Sequence, residues 1–260
     1  MYNNSMKTAV IGLFHKEYFY IHFWQNYYGK LFGFANLYAI GEVSTDPSFK
    51  IFDRRVNLIQ YTPNYFADHI EHTQIVINTQ NKLLADYDTV IFAEADQYFV
   101  PDPDLYLNLN DYLYRKTDDY IRVSGWNVRQ QLEIEPPYDP GKKILEQRDY
   151  WFKDPWAEDK QTIIRKPIQS VGPGFHTSVP SVARDPQLFN IHMQKFDFGV
   201  CNSRFANYTA RQDRHPDSGM NGLGNHIWKQ DDVLWNDWIN ENKSLPIERI
   251  PQRFKDLHLL

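Results

Sequence analysis

The stretch YDTVIFAEADQYFVPDP, from Tyr87 to Pro103, decides the fold. Thr89 to Ala93 (TVIFA) is a short, β-branched, apolar run and predicts a buried strand. It ends in Glu94-Ala95-Asp96, two carboxylates one residue apart, which at a strand end converge on one side. A divalent cation carrying a pyrophosphate takes hard oxygen ligands, usually only one or two of them protein carboxylates. Such a cation neutralises the charge that builds on a leaving nucleoside diphosphate. Acidic residues also stand at strand ends simply because loops are solvated, and a lone E-x-D carries little weight. Here its flanks, VIFA and QYFVP, and its place after a fourth strand give it more.

Working outward, the first half alternates strands and helices. Thr8 to Phe14, Ala35 to Ile40 and Val56 to Gln60 read as strands. Tyr18 to Phe32 reads as an aromatic-rich helix. A second helix runs to about Ala85 behind an Asp68 cap. This order predicts βαβ units and a mostly parallel central sheet in a three-layer α/β domain. Ligands of such sheets sit beyond the carboxyl ends of the strands. That directs attention to the loops Phe14–Glu17, Gly41–Asp46 and Glu94–Pro103.

The second half is less regular. Tyr120 to Ser124 and Leu188 to Met193 read as strands, Gly172 to Phe175 as a turn, and Asp231 to Asn242 as a helix. Leu132 to Gln161 reads as a long excursion over the sheet, and Arg211 to Asn225 as a polar, Gly-rich loop. No linker or internal repeat divides the chain. The expectation is one domain over residues 1–260, with a nucleotide-binding half at 1–103 and an acceptor-binding half at 104–260.

Composition narrows the function classes. The formal charge is −5, so the basic face of a nucleic-acid binder is not expected. Cys201 is the only cysteine, which rules out an intrachain disulfide and fits a reducing compartment. The start MYNNSMKTAV lacks the apolar core of a signal peptide. No run of about eighteen apolar residues exists to span a membrane. A cytoplasmic protein is expected, peripheral to the membrane if its acceptor is lipid-linked. Aromatic residues make up 16%, which supplies either large core side chains or a surface for flat ligands.

VIFAEADQYFVPDP resembles the DxD-type segment of GT-A glycosyltransferases, in the family 2-like and family 92-like branch. The opening VIGLFHKEYFYIHFWQNYYGKLFGFANLYAI is similar to the start of that branch, with Lys16-Glu17, Trp24, Tyr27 and Gly33 in the matching places. IIRKPIQSVGPGFHTSV, followed by LFNIHM, resembles the family's later lysine, its G-x-H element and its strand histidine. The likeness covers roughly the first 200 residues. It implies a transferase that moves a sugar from a nucleotide-sugar donor to a carbohydrate or lipid-linked acceptor, as enzymes of glycan and polysaccharide biosynthesis do. It also implies Mn²⁺ or Mg²⁺ held by Glu94 and Asp96, with His176 and His192 as further ligands or substrate contacts. Two departures stand out. The first acidic residue is Glu rather than Asp, and Gln97 replaces a Glu and cannot serve as an anionic ligand or base.

Each remaining candidate has a plainer reading beside it. His15 and Glu17 follow the first strand, where the resemblance puts nucleoside contacts; Glu17 also suits a helix N-terminus. Lys82 either approaches the diphosphate or is a solvated helix residue. His192 either contacts ligand or is a core histidine. Trp126, Tyr150, Trp151 and Trp156 form either an acceptor platform or packing. Tyr18, Phe19, Tyr20, Phe23 and Trp24 read as core rather than membrane-facing, because the helix lacks a cationic face. The catalytic base stays open among Glu133, Glu135, Asp185, Asp197, Asp213, Asp217, Asp231 and Asp232, with Asp217, Asp231 and Asp232 in front; Asp231-Asp232 also suits a helix start. Two rivals remain. One is a nucleotidyltransferase, for which no Gly-rich phosphate loop follows the first strand. The other is a sugar-binding or scaffold domain with a decayed site.

Overall fold

A strand covered on both faces needs apolar side chains pointing both ways, and TAVIGL supplies them in β1, Thr8–Leu13. The computed structural model describes residues 6–63, 69–153, 160–176, 178–209 and 231–257. After β1 come α1 (Tyr20–Phe32), β2 (Leu37–Gly41), β3 (Asn57–Gln60) and α2 (His69–Leu83). Next are β4 (Thr89–Phe92), β5 (Gln97–Pro101), α3 (Leu109–Arg115) and β6 (Tyr120–Arg129). Then follow β7 (Tyr150–Lys153), β8 (Gln161–Ile164), β9 (Ser170–Val171), β10 (Ser178–Val179) and β11 (Arg184–Lys195). The chain closes with α4 (Phe198–Thr209), α5 (Asp231–Ser244), β12 (Ile247–Arg249) and α6 (Gln252–Lys255).

The main sheet runs in the order β3-β2-β1-β4-β8-β6-β7-β12, with β11 against β6 and β5 on β11. β1 pairs in parallel with β2 and β4, and β2 with β3. β8 enters antiparallel between β4 and β6, so β6 runs in the direction of β4. β11 is parallel to β6. The sheet is therefore mostly parallel, as the alternating pattern predicts. Side-chain alternation divides the core. Val10 and Ile91 join the cluster with α1, whereas Ala9, Ile11, Val90 and Phe92 join the one with Val76 and Ile77 of α2. Helices thus cover both faces.

Several sequence readings shift. The expected loop Glu94–Pro103 is only a three-residue corner, Glu94–Asp96, before β5 begins. QYFVP is buried at every position, so no alternation marks it as a new strand. At this corner the chain leaves β4 and pairs instead with β11, antiparallel, with Gln97 opposite His192. β6 and β11 extend beyond the expected bounds. β7 emerges within the expected excursion, bonded to β6 and β12. Trp151 is buried in it against Trp126 (centroids 4.4 Å apart) and Phe254, so these rings pack the core. α4, with low-propensity Asn and Gly, gave little helical signal. Asp68, Trp156, Asp213, Asp217 and the stretch 211–225 lie outside the described residues.

The aromatic helix α1 holds the corner. Trp24 donates its indole N–H to the Ala93 carbonyl (3.1 Å), and Tyr27 its hydroxyl to Phe99 (2.7 Å). Tyr20 donates to Met193 (2.8 Å), and Tyr28 to Gln97 (3.0 Å). The Tyr28 oxygen also accepts from the Phe99 N–H (3.2 Å). Gly33, at φ 87°, then ends α1 in a conformation that suits glycine. Tyr28→Phe leaves two buried backbone groups short of a partner, so it is expected to cost about 1–3 kcal/mol. Tyr18→Phe changes a ring that is 46% exposed and is expected to cost close to nothing. Urea unfolding of both variants measures the contrast; equal midpoints would contradict it.

Candidate functional site

The carboxyl edge of the parallel strands gathers charged side chains from four elements. After β1, Lys16 takes a left-handed backbone conformation (φ 52°) and donates its N–H to Asp46 Oδ2 (2.6 Å). This tie fixes the turn that carries Glu17 inward, where it is 4% exposed. Glu94 and Asp96 come from the β4–β5 corner. His192 comes from β11, whose Met193 N–H donates to the Asp96 carbonyl (2.9 Å). Arg204 comes from α4.

Arg204 is the centre of the cluster. Its Nη1 donates to Asp96 Oδ2. Its Nε and Nη2 both donate to Glu17 Oε1, at 2.9 and 2.6 Å. The guanidinium lies over the rings of Tyr20 (4.9 Å) and Tyr208 (5.5 Å), and the Tyr208 hydroxyl donates to Glu17 Oε1. Glu17 Oε2 is buried without a hydrogen-bond partner. His192 Nε2 stands 3.4 Å from Asp96 Oδ2, and its Nδ1 is paired with the Asn127 side chain. Beside this cluster, Glu94 Oε2 is paired with the buried Lys160 ammonium and accepts from Gln97 Nε2 (2.7 Å).

One guanidinium thus serves two carboxylates, and they part ways. Burial pushes Glu17 up, more than Arg204 and Tyr208 bring it down. Burial acts on Asp96 as well, but Arg204 together with His192 holds it far below the usual carboxylate range. Burial also opposes ionisation of Glu94, and Lys160 overcomes it.

Of the expected residues, the structure brings Glu17, Asp96 and His192 into one cluster and sets Glu94 next to it. His15 lies at the same edge, its Nδ1 3.4 Å from Glu42 Oε2 and its ring stacked near Tyr208. Lys82 is exposed near the carboxyl end of α2. That helix returns the chain to the start of β4, so Lys82 belongs to the opposite edge of the sheet, and its solvated reading is the one that fits. His176 follows the turn Pro173–Phe175 with its ring folded over Gly174, while Phe175 packs on Phe92. Asp231 starts α5 and exchanges hydrogen bonds with Asn202 (2.9 and 3.1 Å); Asp232 is exposed beside it. Both suit the positive end of a helix. Glu135, Asp185 and Asp197 are each occupied, by backbone N–H groups, by Lys116 with Tyr112, and by Arg148.

The lysine of the family-like segment, Lys166, is exposed and paired with Asp119 (2.8 Å). The lysine that reaches the site is Lys160. Sequence reasoning missed it together with Arg204, Tyr208 and Asn127. An arginine and a tyrosine four residues apart on a helix carry no motif, and only the fold brings them to Glu17, 187 and 191 positions earlier.

These donors do not fit a divalent cation as they stand. Glu94 and Asp96 are each already neutralised by a buried cationic side chain. Among the described residues, no three of His, Cys, Asp or Glu converge as a metal site.

No protein-family model and no curated protein matches the chain. Among solved structures it is similar to mannose-1-phosphate geranyltransferase from Thermus thermophilus, at 10% identity and a TM-score of 0.33. The match covers 62% of this chain and 51% of that one, so the chain spans about half the length of that structure. A likeness this distant carries no argument about activity.

Two outcomes follow from the cluster. Arg204→Met strands two buried carboxylates and is expected to cost about 3–5 kcal/mol, read by urea unfolding. A loss below about 1 kcal/mol would mean the pairing is not structural. The depressed Asp96 favours folding at any pH above its unfolded value of about 3.9, and this contribution is lost as pH falls further. Glu17, shifted the other way, opposes folding as pH rises through its own range. Melting temperature is therefore expected to fall steeply below about pH 4, and Asp96→Asn to flatten that acid limb. An unchanged acid limb in the variant would exclude Asp96 as its source.

Proposed function

We propose that the chain is a glycosyltransferase of GT-A-like build, taking a nucleotide-sugar donor and passing its sugar to a carbohydrate or lipid-linked acceptor. The observation that supports this reading is the convergence of Glu17, Asp96, His192 and Arg204, with Glu94 and Lys160 alongside, at the carboxyl edge of a mostly parallel sheet. In open α/β sheets that edge is where ligands bind. The nucleoside would lie over the ends of β1 and β2, near His15. On this reading residues 1–260 act as one domain, with residues 1–103 serving the donor and 104–260 the acceptor. No step is assigned to Mn²⁺ or Mg²⁺, because the donor set does not fit one.

A second reading, a sugar-binding domain with a decayed transferase site, is favoured by one observation: Glu94 and Asp96 already have protein cations as partners. Donor hydrolysis separates the two, since only a transferase turns the donor over.

Thermal shift with UDP-, GDP-, CMP- and dTDP-sugars, each with Mn²⁺ and with EDTA, tests the donor site. One nucleotide family is expected to raise the midpoint by mass action, about 2.7 kcal/mol of stabilisation at a hundredfold excess over Kd. A folded sample that shifts with none of them would overturn the transferase reading.

A further inference from the structure

A cleft of about 440 Å³ opens beside the cluster, between the start of α1, the turn at residues 137–140 and one face of α4. That is the size range of a small-ligand site. Its walls are aromatic: Tyr18, Phe19 and Tyr138 line it. Ser203 and Asn207, four residues apart on α4, add a hydroxyl and an amide, and Lys16 adds an ammonium. None of these three side chains is engaged within the described residues. Glu17 and Arg204 form the inner wall.

The inner wall decides what kind of ligand fits. Arg204 directs Nε, Nη1 and Nη2 at Glu17 and Asp96, so its charge is already answered by two carboxylates. Two carboxylates thus stand against one guanidinium on that wall. Asp197, which also lines the cleft, adds no cation, and its oxygens are held, Oδ2 by Arg148 and the Tyr138 N–H and Oδ1 by the Val200 N–H. What the wall does hold is an acceptor, Glu17 Oε2, buried with no donor against it. A buried carboxylate oxygen without a donor is costly, and an incoming hydroxyl relieves that cost. Aromatic rings at the sides suit the apolar C–H face of a ring, and the free amide, hydroxyl and ammonium suit its edge.

We propose that this cleft binds a neutral polyhydroxylated ring, the sugar acceptor of the reaction proposed above, with one ring hydroxyl donating to Glu17 and the ring packed on Tyr18 and Tyr138. The acceptor role rests on the transferase reading; the carbohydrate site itself does not.

The test uses the full chain and a panel of methyl glycosides and disaccharides of glucose, galactose, mannose and N-acetylglucosamine. Saturation-transfer NMR reads binding, and thermal shift with nucleotide-sugars reads the donor site on the same samples. Wild type is expected to bind at least one glycoside. Ser203→Trp, on an exposed helix position, fills the cleft and is expected to weaken that binding at least tenfold while leaving the melting temperature and any nucleotide-sugar shift unchanged. Tyr18→Ala is expected to weaken it likewise. Folded wild type that binds no glycoside at millimolar concentration overturns the proposal. So does glycoside binding that survives Ser203→Trp, or a nucleotide-sugar shift that Ser203→Trp abolishes. Glycoside binding without any nucleotide-sugar shift keeps the site and sinks only the transferase reading.

Discussion

Everything at the carboxyl edge depends on how α1 grips the corner after β4. Four aromatic side chains, Tyr20, Trp24, Tyr27 and Tyr28, donate hydrogen bonds to the carbonyls of Met193, Ala93, Phe99 and Gln97. Those carbonyls belong to the end of β4, to β5 and to β11, the segments around Glu94-Ala95-Asp96. An aromatic ring with a polar tip fills the core and satisfies the backbone at once. The helix therefore works as a template that sets the angle at which the chain leaves one strand pairing and joins another.

That corner delivers carboxylates into a buried space, and the space is electrostatically short of cation. Arg204 answers both Glu17 and Asp96, while Lys160 answers Glu94. Breaking such a pair is costly because it leaves a buried charge behind. The site is thus both a load on the fold and the place where the fold is most sensitive to change. One oxygen of Glu17, Oε2, is left buried without a donor in this arrangement.

Much of the first half was legible in the sequence. TAVIGL, TVIFA and the helix between them carry their period in plain view, and the carboxylates at the end of TVIFA stand out by position. The limits were physical. QYFVP is buried at all five positions and reads as a continuation of the preceding strand rather than a new one. α4 has only Arg204 and Ala206 as strong helix formers among Gly, Asn, Ser and Thr, too few to announce it. Lys166 was the lysine a motif would choose, but the strand β8 ends before it and leaves it in solvent, whereas Lys160 precedes β8 on the buried side. Arg204 has no local signature at all. Its importance comes from meeting Glu17 and Asp96 across 187 and 108 positions, and no window of sequence contains that encounter.

The position of β11 has a consequence for how the chain reaches this state. It is bonded on one side to β6 and on the other to β5, both made well before it. A chain emerging from its amino end exposes the open edges of β5 and β6, and holds Glu17 and Asp96 with no guanidinium, until residues 184–204 have been synthesised. Contacts this distant in sequence close late and slowly. The first half alone is then an incomplete structure with unpaired strand edges, the kind of species that associates with its neighbours. The last long strand and the helix behind it act as the closing wedge, sealing the sheet and supplying its missing charge in one stroke.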